Sequence, residues 1–253
     1  MRSTALIVAI AVLAGCSANP EKRVAREAAI AMTGSPETVT AITGLTIEGN
    51  GSGFDSAPST VTSFKRTMSF RREQWRQELT QAAADRAPHI QITGFDGKAA
   101  YVIDPAGSPA RLSEQGAKDR RAVLYHHPIG FLFAVFSKDA PVRNTRTEGG
   151  MEAVDMTMDG VTYTLFIDGA TKLPAKIVSR AHDATRGDVL METSFGKYTN
   201  VHGYKLPSKI TMKLDQRVIA DLNVEQQFAG ADLGNLAAPA APRSATPTNR
   251  AEN

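Results

Sequence analysis

The sequence predicts an α+β protein: one long antiparallel sheet of meandering hairpins, with a few helices inserted between its halves. Three observations carry this prediction. From Leu45 onward the apolar residues recur at period two through four runs, as on strands with one buried face. The last third alternates in the same way through six more. Between them lies "AKDRRAVLYHHPIGFLFAVFSKDAP", which has no alternation and is rich in Leu and Phe. A sheet of that length must have one face covered, and these interlude helices are the available cover.

The elements follow in chain order. Asn19 can cap a helix and Pro20 suits its first position, followed by "EKRVAREAAIAM" with Val24, Ala28 and Ala31 on one face. Gly34 ends that helix, and "SPETVTAIT" reads as a second, short one capped by Ser35. "LTIEGNGSGF", "TVTSFKRTMSF", "QWRQELTQ" and "PHIQITGFDGKAAYVID" are then strand-like. Phe64, Met68 and Phe70 share a face in the second run, as do Trp75 and Leu79 in the third. Asp96-Gly97 marks a hairpin.

Pro128 breaks the interlude into helices over 117–126 and 129–137. "MEAVDMTM", "VTYTLFID", "AKIVSRAH", "DVLMETSFGKYTNV", "YKLPSKITMKLD" and "RVIADLNVEQQF" complete the sheet. In the last run Val218, Ala220, Leu222, Val224 and Phe228 are expected to point inward and Gln227 outward, with Ile219 the one exception to the pattern. From Leu233 the composition turns to Ala, Pro and Thr, and 233–253 is expected to be a disordered tail or linker.

The N-terminus has a different logic. Arg2 precedes an apolar run from Ala5 to Ala14, shorter than the roughly 20 residues a spanning helix needs. A basic start, a short apolar core and small residues before a cleavage point make 1–15 a signal peptide. Cys16, the only cysteine, follows directly. Leu13-Ala14-Gly15-Cys16 resembles the lipobox of bacterial lipoproteins. That resemblance implies cleavage before Cys16 and acyl chains on it, leaving a single domain over 16–232. Ser17 stands where an aspartate would resemble the inner-membrane retention signal. The implied location is therefore the periplasmic face of an outer membrane, with the membrane a partner through the lipid.

Few residues point to chemistry. A net charge of +3 is too mild and dispersed to argue for nucleic acid, and export argues against it independently. The five histidines have no metal-ligand spacing, and the sequence contains no nucleophile elbow, P-loop or Rossmann glycine pattern, so no catalytic residue, metal or cofactor is expected. His126 and His127 read as a polar helix end, where cationic side chains suit the dipole. "GNGSG" at 49–53 reads as a bulge or hairpin. In "KRTMSFRREQWRQE", Arg71, Arg72 and Arg76 near Trp75 are either a solubilising face or a contact for an acidic ligand or lipid headgroup. Phe131, Leu132, Phe133, Val135 and Phe136 make a helix apolar on nearly every side, to be buried all round or turned toward an apolar ligand. Trp75, Phe131, Phe133 and Phe136 are the candidate ligand-lining residues.

Two resemblances extend this reading. "YTLFIDGATKLPAKIVSR…GDVLMETSFGKYTNVHGYKLPSKI" resembles the hairpin series of Lol-type lipoprotein carriers and related periplasmic lipid-binding lipoproteins. That implies a curved, unclosed half-barrel whose concave apolar side is covered by helices and holds acyl chains. "GLTIEGNGSGF", "RREQWRQELT", "AKDRRAVLYHHPIGFL", "NTRTEGGMEAVDM" and "VIADLNV" resemble the accessory domain that precedes the catalytic domain in some metallo-β-lactamase-fold hydrolases. The H-x-H-x-D-H metal motif of that catalytic domain is absent from the sequence, so the hydrolase activity does not carry over. The implied functions are a non-catalytic lipid-anchored module binding a lipid or acyl chain, or an interaction domain whose partner is such a hydrolase.

Overall fold

In a computed structural model of the chain, the residues described are 20–54, 58–83, 86–183, 187–230 and 233–239. The expected signal peptide, 1–15, and Cys16 lie outside them. A 3₁₀ turn at Pro20–Lys22 leads into α1 (Arg23–Thr33), which Gly34 ends in the left-handed conformation, φ 89°, with its N–H on the Ile30 carbonyl. Ser35 then caps α2 (Pro36–Ala41), accepting the Thr38 N–H at 3.2 Å, with Pro36 at the first turn as expected.

Six strands follow: β1 (Gly44–Phe54), β2 (Pro58–Ser69), β3 (Gln74–Ala83), β4 (Arg86–Phe95), β5 (Ala100–Ile103) and β6 (Pro109–Arg111). The expected hairpin at Asp96-Gly97 joins β4 to β5; Asp96 Oδ1 accepts the Lys98 and Ala99 N–H groups and Gly97 has φ 96°. The helices α3 (Glu114–Tyr125) and α4 (Pro128–Ser137) come next. Seven strands complete the chain: β7 (Val142–Glu148), β8 (Met151–Met158), β9 (Val161–Ile167), β10 (Pro174–Asp183), β11 (Gly187–Val201), β12 (Tyr204–Leu214) and β13 (Arg217–Ala229).

Among the described residues these thirteen strands form one antiparallel sheet, ordered β6-β5-β4-β3-β2-β1-β13-β12-β11-β10-β9-β8-β7. Two meanders are therefore joined at β1 and β13, and the sheet stays open with β6 and β7 as its edges. Its inner face carries Leu45, Ile47, Phe64, Met68, Trp75, Val154, Leu165, Ile177, Ile210 and Leu222, all buried. α1, α2 and α4 pack into that concavity, and α3 lies over β3, β4, β5 and β10. Among the described residues no helix is long and apolar enough to cross a membrane.

Three departures from simple alternation shape the inner face. Gly49, Gly51 and Gly53 of β1 stand opposite Val224, Leu222 and Ala220, with a register irregularity on each side of Gly49, so the bulge reading of "GNGSG" holds. A Cβ at Gly49 would lie 1.9 Å from the Asn223 carbonyl oxygen, and one at Gly51 2.3 Å from that of Asp221, so at these two positions the close approach of β1 to β13 requires glycine. A second irregularity leaves Ile219 unpaired and puts Val218 opposite Lys213, which corrects the expectation that Val218 shares a face with Ala220. A third skips Glu225: Gln227 is buried and Phe228 half-exposed, the reverse of the expected orientation.

The described part of the expected tail, 233–239, has no regular secondary structure, yet it packs against the sheet. Leu236 is buried, the Tyr101 hydroxyl donates to its carbonyl at 3.3 Å, and the Leu233 side chain lies against Gly44.

Candidate binding cavity

Gly53, the last glycine of the stripe, borders a space that Arg120 and Val123 of α3 also line. It is a cavity of about 290 Å³, near the lower end of the roughly 300–1,000 Å³ typical of small-molecule sites. Its wall is divided in two. Leu79, Val123, Met212, Leu214, Ile219 and Leu222 are apolar; Arg66, Gln77, Gln81, Gln91, Thr93 and Arg120 are polar. No carboxylate lines it among the described residues. Ile219 reaches the wall because of its bulge.

α3 is held over the cavity by directed contacts. Ser113 caps it by accepting the Gly116 N–H at 3.1 Å. The buried Trp75 indole donates Nε1–H to the Arg120 carbonyl at 2.6 Å, tying β3 to the helix. At its far end the turn of α3 into α4 is buried, and His126 and His127 with it. His126 Nδ1 lies 3.1 Å from Thr193 Oγ1 and Nε2 2.8 Å from Ser179 Oγ. His127 Nδ1 accepts the Ile129 N–H at 3.3 Å and caps α4, while its ring stacks near Phe70. Burial pushes both imidazoles down to about 3, with the charge of Arg66 adding to the effect at His127. The reading of this pair as a cationic helix end is therefore corrected: both are neutral, and the helix dipole has no cation there.

Arg66 is the unusual member of the wall. It sits between Phe64 and Met68 on the buried face of β2, opposite Gln77 of β3, and its Nε–H donates to Gln77 Oε1 at 2.7 Å. Only 8% of the residue is exposed. Among the described residues it has no carboxylate partner, and its charged neighbour is Arg120. Burial, with that like charge second, pushes its guanidinium down to about 10, which leaves it protonated at neutral pH.

Arg121, one residue along α3, is the contrast. It faces a separate cavity of about 390 Å³ bordered by Phe95, Ala117, Val161 and Tyr163. There it is paired with Glu73 at 2.7 Å and Asp159 at 3.0 Å, and lies 5.6 Å from the Phe95 ring centre. Glu73 also accepts from Lys138 and from the Tyr125 hydroxyl.

Of the candidate lining residues, Trp75 borders the first cavity. Phe131 and Phe133 are buried in the core shared by α1, α2 and α4, and Phe136 packs half-buried on that core; none of the three lines the cavity. Arg71 and Arg72 are exposed in the turn after β2, and Arg76 pairs with Glu78 at 3.0 Å. Among the described residues no group of three or more His, Cys, Asp or Glu side chains could hold a metal ion.

Comparison with known proteins places the fold. No family model matches the chain, and no curated protein matches its sequence. Among solved structures, a LolA superfamily protein from Nitrosomonas europaea is similar, with TM-score 0.51 and 14% identity over 83% of this chain and 94% of that one. The match does not bear on the resemblance to a hydrolase accessory domain. A large open antiparallel sheet wrapped around a few helices is thus a Lol-like fold in this chain as well.

Proposed function

We propose that this chain is a non-catalytic binding module that takes an apolar ligand, a lipid or acyl chain, into the cleft between α3 and the middle of its half-barrel. The observation that carries this is the cavity itself. The core is packed around α1, α2 and α4, while Leu79, Met212, Leu214, Ile219 and Leu222 are left facing a space of about 290 Å³. Apolar surface is favourable to remove from water at roughly 25 cal/mol per Å², so a lipid chain is a natural occupant. The Lol-like fold agrees with this reading, since the resemblance implies acyl chains held on the concave side.

The anchor belongs to the same reading. Cys16 carries the lipid at the periplasmic face of an outer membrane, and several acyl chains, each contributing about 0.8 kcal/mol per buried CH₂, make attachment stable. Native mass spectrometry of Cys16→Ser, exported and purified without detergent, tests the binding claim. A bound mass in the fatty-acid or phospholipid range supports it. A clean apo mass that stays apo with added lipid overturns it and favours a protein partner such as a hydrolase. Labelling with radioactive palmitate, lost in Cys16→Ser, tests the anchor.

A further inference from the structure

We infer that the ligand of this cavity is an amphiphile bearing an anionic group, a carboxylate or a phosphate, held by Arg66 and Arg120 while its chain lies along Met212, Leu214 and Leu222. The inference rests on the reading of the cavity as a lipid site and narrows it to a charged class.

Charge balance is the reason. Arginine is almost never buried without a partner, because removing its charge from water is costly unless an anion or a full set of acceptors compensates. Arg66 is more than nine-tenths buried and on the cavity wall. Its acceptor among the described residues is the neutral Gln77, which takes Nε–H and leaves the outer end of the guanidinium fork to the cavity. A second guanidinium, Arg120, borders the same space and repels it. A protein using Arg66 only to hold its sheet together would supply a carboxylate, as this one does twice for Arg121.

The remaining polar wall includes Gln77 and Gln91, whose amide N–H groups can donate to an oxyanion without carrying charge. Planar guanidinium groups suit carboxylate and phosphate oxygens. The polar and apolar halves of the wall then match the two ends of one amphiphile, and the small volume favours a single chain inside.

The test uses the full chain carrying Cys16→Ser, delipidated, in equilibrium dialysis with three probes sharing one tail: oleate, oleoyl lysophosphatidate and oleyl alcohol. The expected result is that at least one anionic probe binds about tenfold or more tightly than the alcohol. Whichever anion is favoured tells a fatty acid from a phospholipid as the source. Arg66→Gln, and separately Arg120→Gln from the helix side, should reduce that preference to about twofold.

Equal binding of alcohol and anions by the unsubstituted chain overturns the inference and leaves the apolar-ligand reading standing. An anion preference that survives both substitutions overturns the assignment to these two arginines. Failure of all three probes overturns the inference and the reading beneath it together. The first comparison needs no variant, so a substitution that prevents folding does not spoil the test.

Discussion

His126 and Ser179 are joined across the concave face, imidazole Nε2 to Oγ at 2.8 Å, while the other ring nitrogen meets Thr193 Oγ1. A neutral imidazole has one donor and one acceptor, and a hydroxyl can serve either. Both nitrogens are therefore satisfied without water, and the junction of α3 and α4 is fixed to β10 and β11. Ser179→Ala should leave one ring nitrogen buried and unpaired, at a cost of about 1–3 kcal/mol in urea denaturation. A double-mutant cycle with His126→Leu should recover part of that loss.

Acid should destabilise the protein earlier than its carboxylates would. Both buried histidines titrate near 6.5 when unfolded and only at about 3 when folded. Between those values the unfolded chain binds more protons, so stability is present above 6.5 and falls as pH drops. Each histidine can contribute a slope of up to about 1.4 kcal/mol per pH unit. The lowered carboxyls of Glu73, Asp155 and Glu192 contribute only once pH enters the carboxylate range below the histidine window. Urea midpoints at pH 7.5 and 5.5 should differ accordingly, and ring NMR should show both imidazoles neutral at pH 5. Charged rings at that pH would refute the packing described for the α3–α4 junction.

Gly130, in the first turn of α4, sets two effects against each other. Helix propensity favours alanine over glycine by up to about 1 kcal/mol. A Cβ at Gly130 would, however, stand 1.9 Å from the Leu124 carbonyl oxygen, backbone that cannot swing aside. Overpacking of this kind costs about 1–3 kcal/mol and outweighs the gain in propensity. Gly130→Ala should therefore lower the melting temperature, and a gain would mean the two helices are free to separate.

Much of this architecture is legible in the sequence because period two is a strong signal where one face is buried. β8 begins and ends where "MEAVDMTM" does, and the Ser35 and Gly34 caps lie where the hydroxyl of one and the missing Cβ of the other predict. The edge strands β6 and β7 give no such signal, since Pro109–Arg111 is three residues long and Val142–Glu148 has no buried residue to reveal a period. The cavity is harder still to see. Arg66 lies on the face that Phe64 and Met68 mark as buried, so its signal is a charge in a core position, yet Arg71, Arg72 and Arg76 form the more visible cluster. The burial of His126 depends on hydroxyls supplied by strands far along the chain, which no local pattern around Pro128 can report.

The bulge at Glu225 makes the sharpest claim about β13, because it inverts what alternation alone would say of two neighbours. Gln227 is buried and its Nε2–H donates to the Pro207 carbonyl at 3.2 Å, whereas Phe228 is 51% exposed. Continued alternation from Leu222 and Val224 would bury Phe228 and expose Gln227. Phe228→Ser should then cost several kcal/mol, as loss of a core aromatic does. With the bulge the order is reversed. Phe228→Ser should change stability by no more than about 0.5 kcal/mol, while Gln227→Ala should cost about 1–2 kcal/mol by stranding the Pro207 carbonyl. Measuring both by urea denaturation decides the matter, since the two registers predict opposite rankings for adjacent residues.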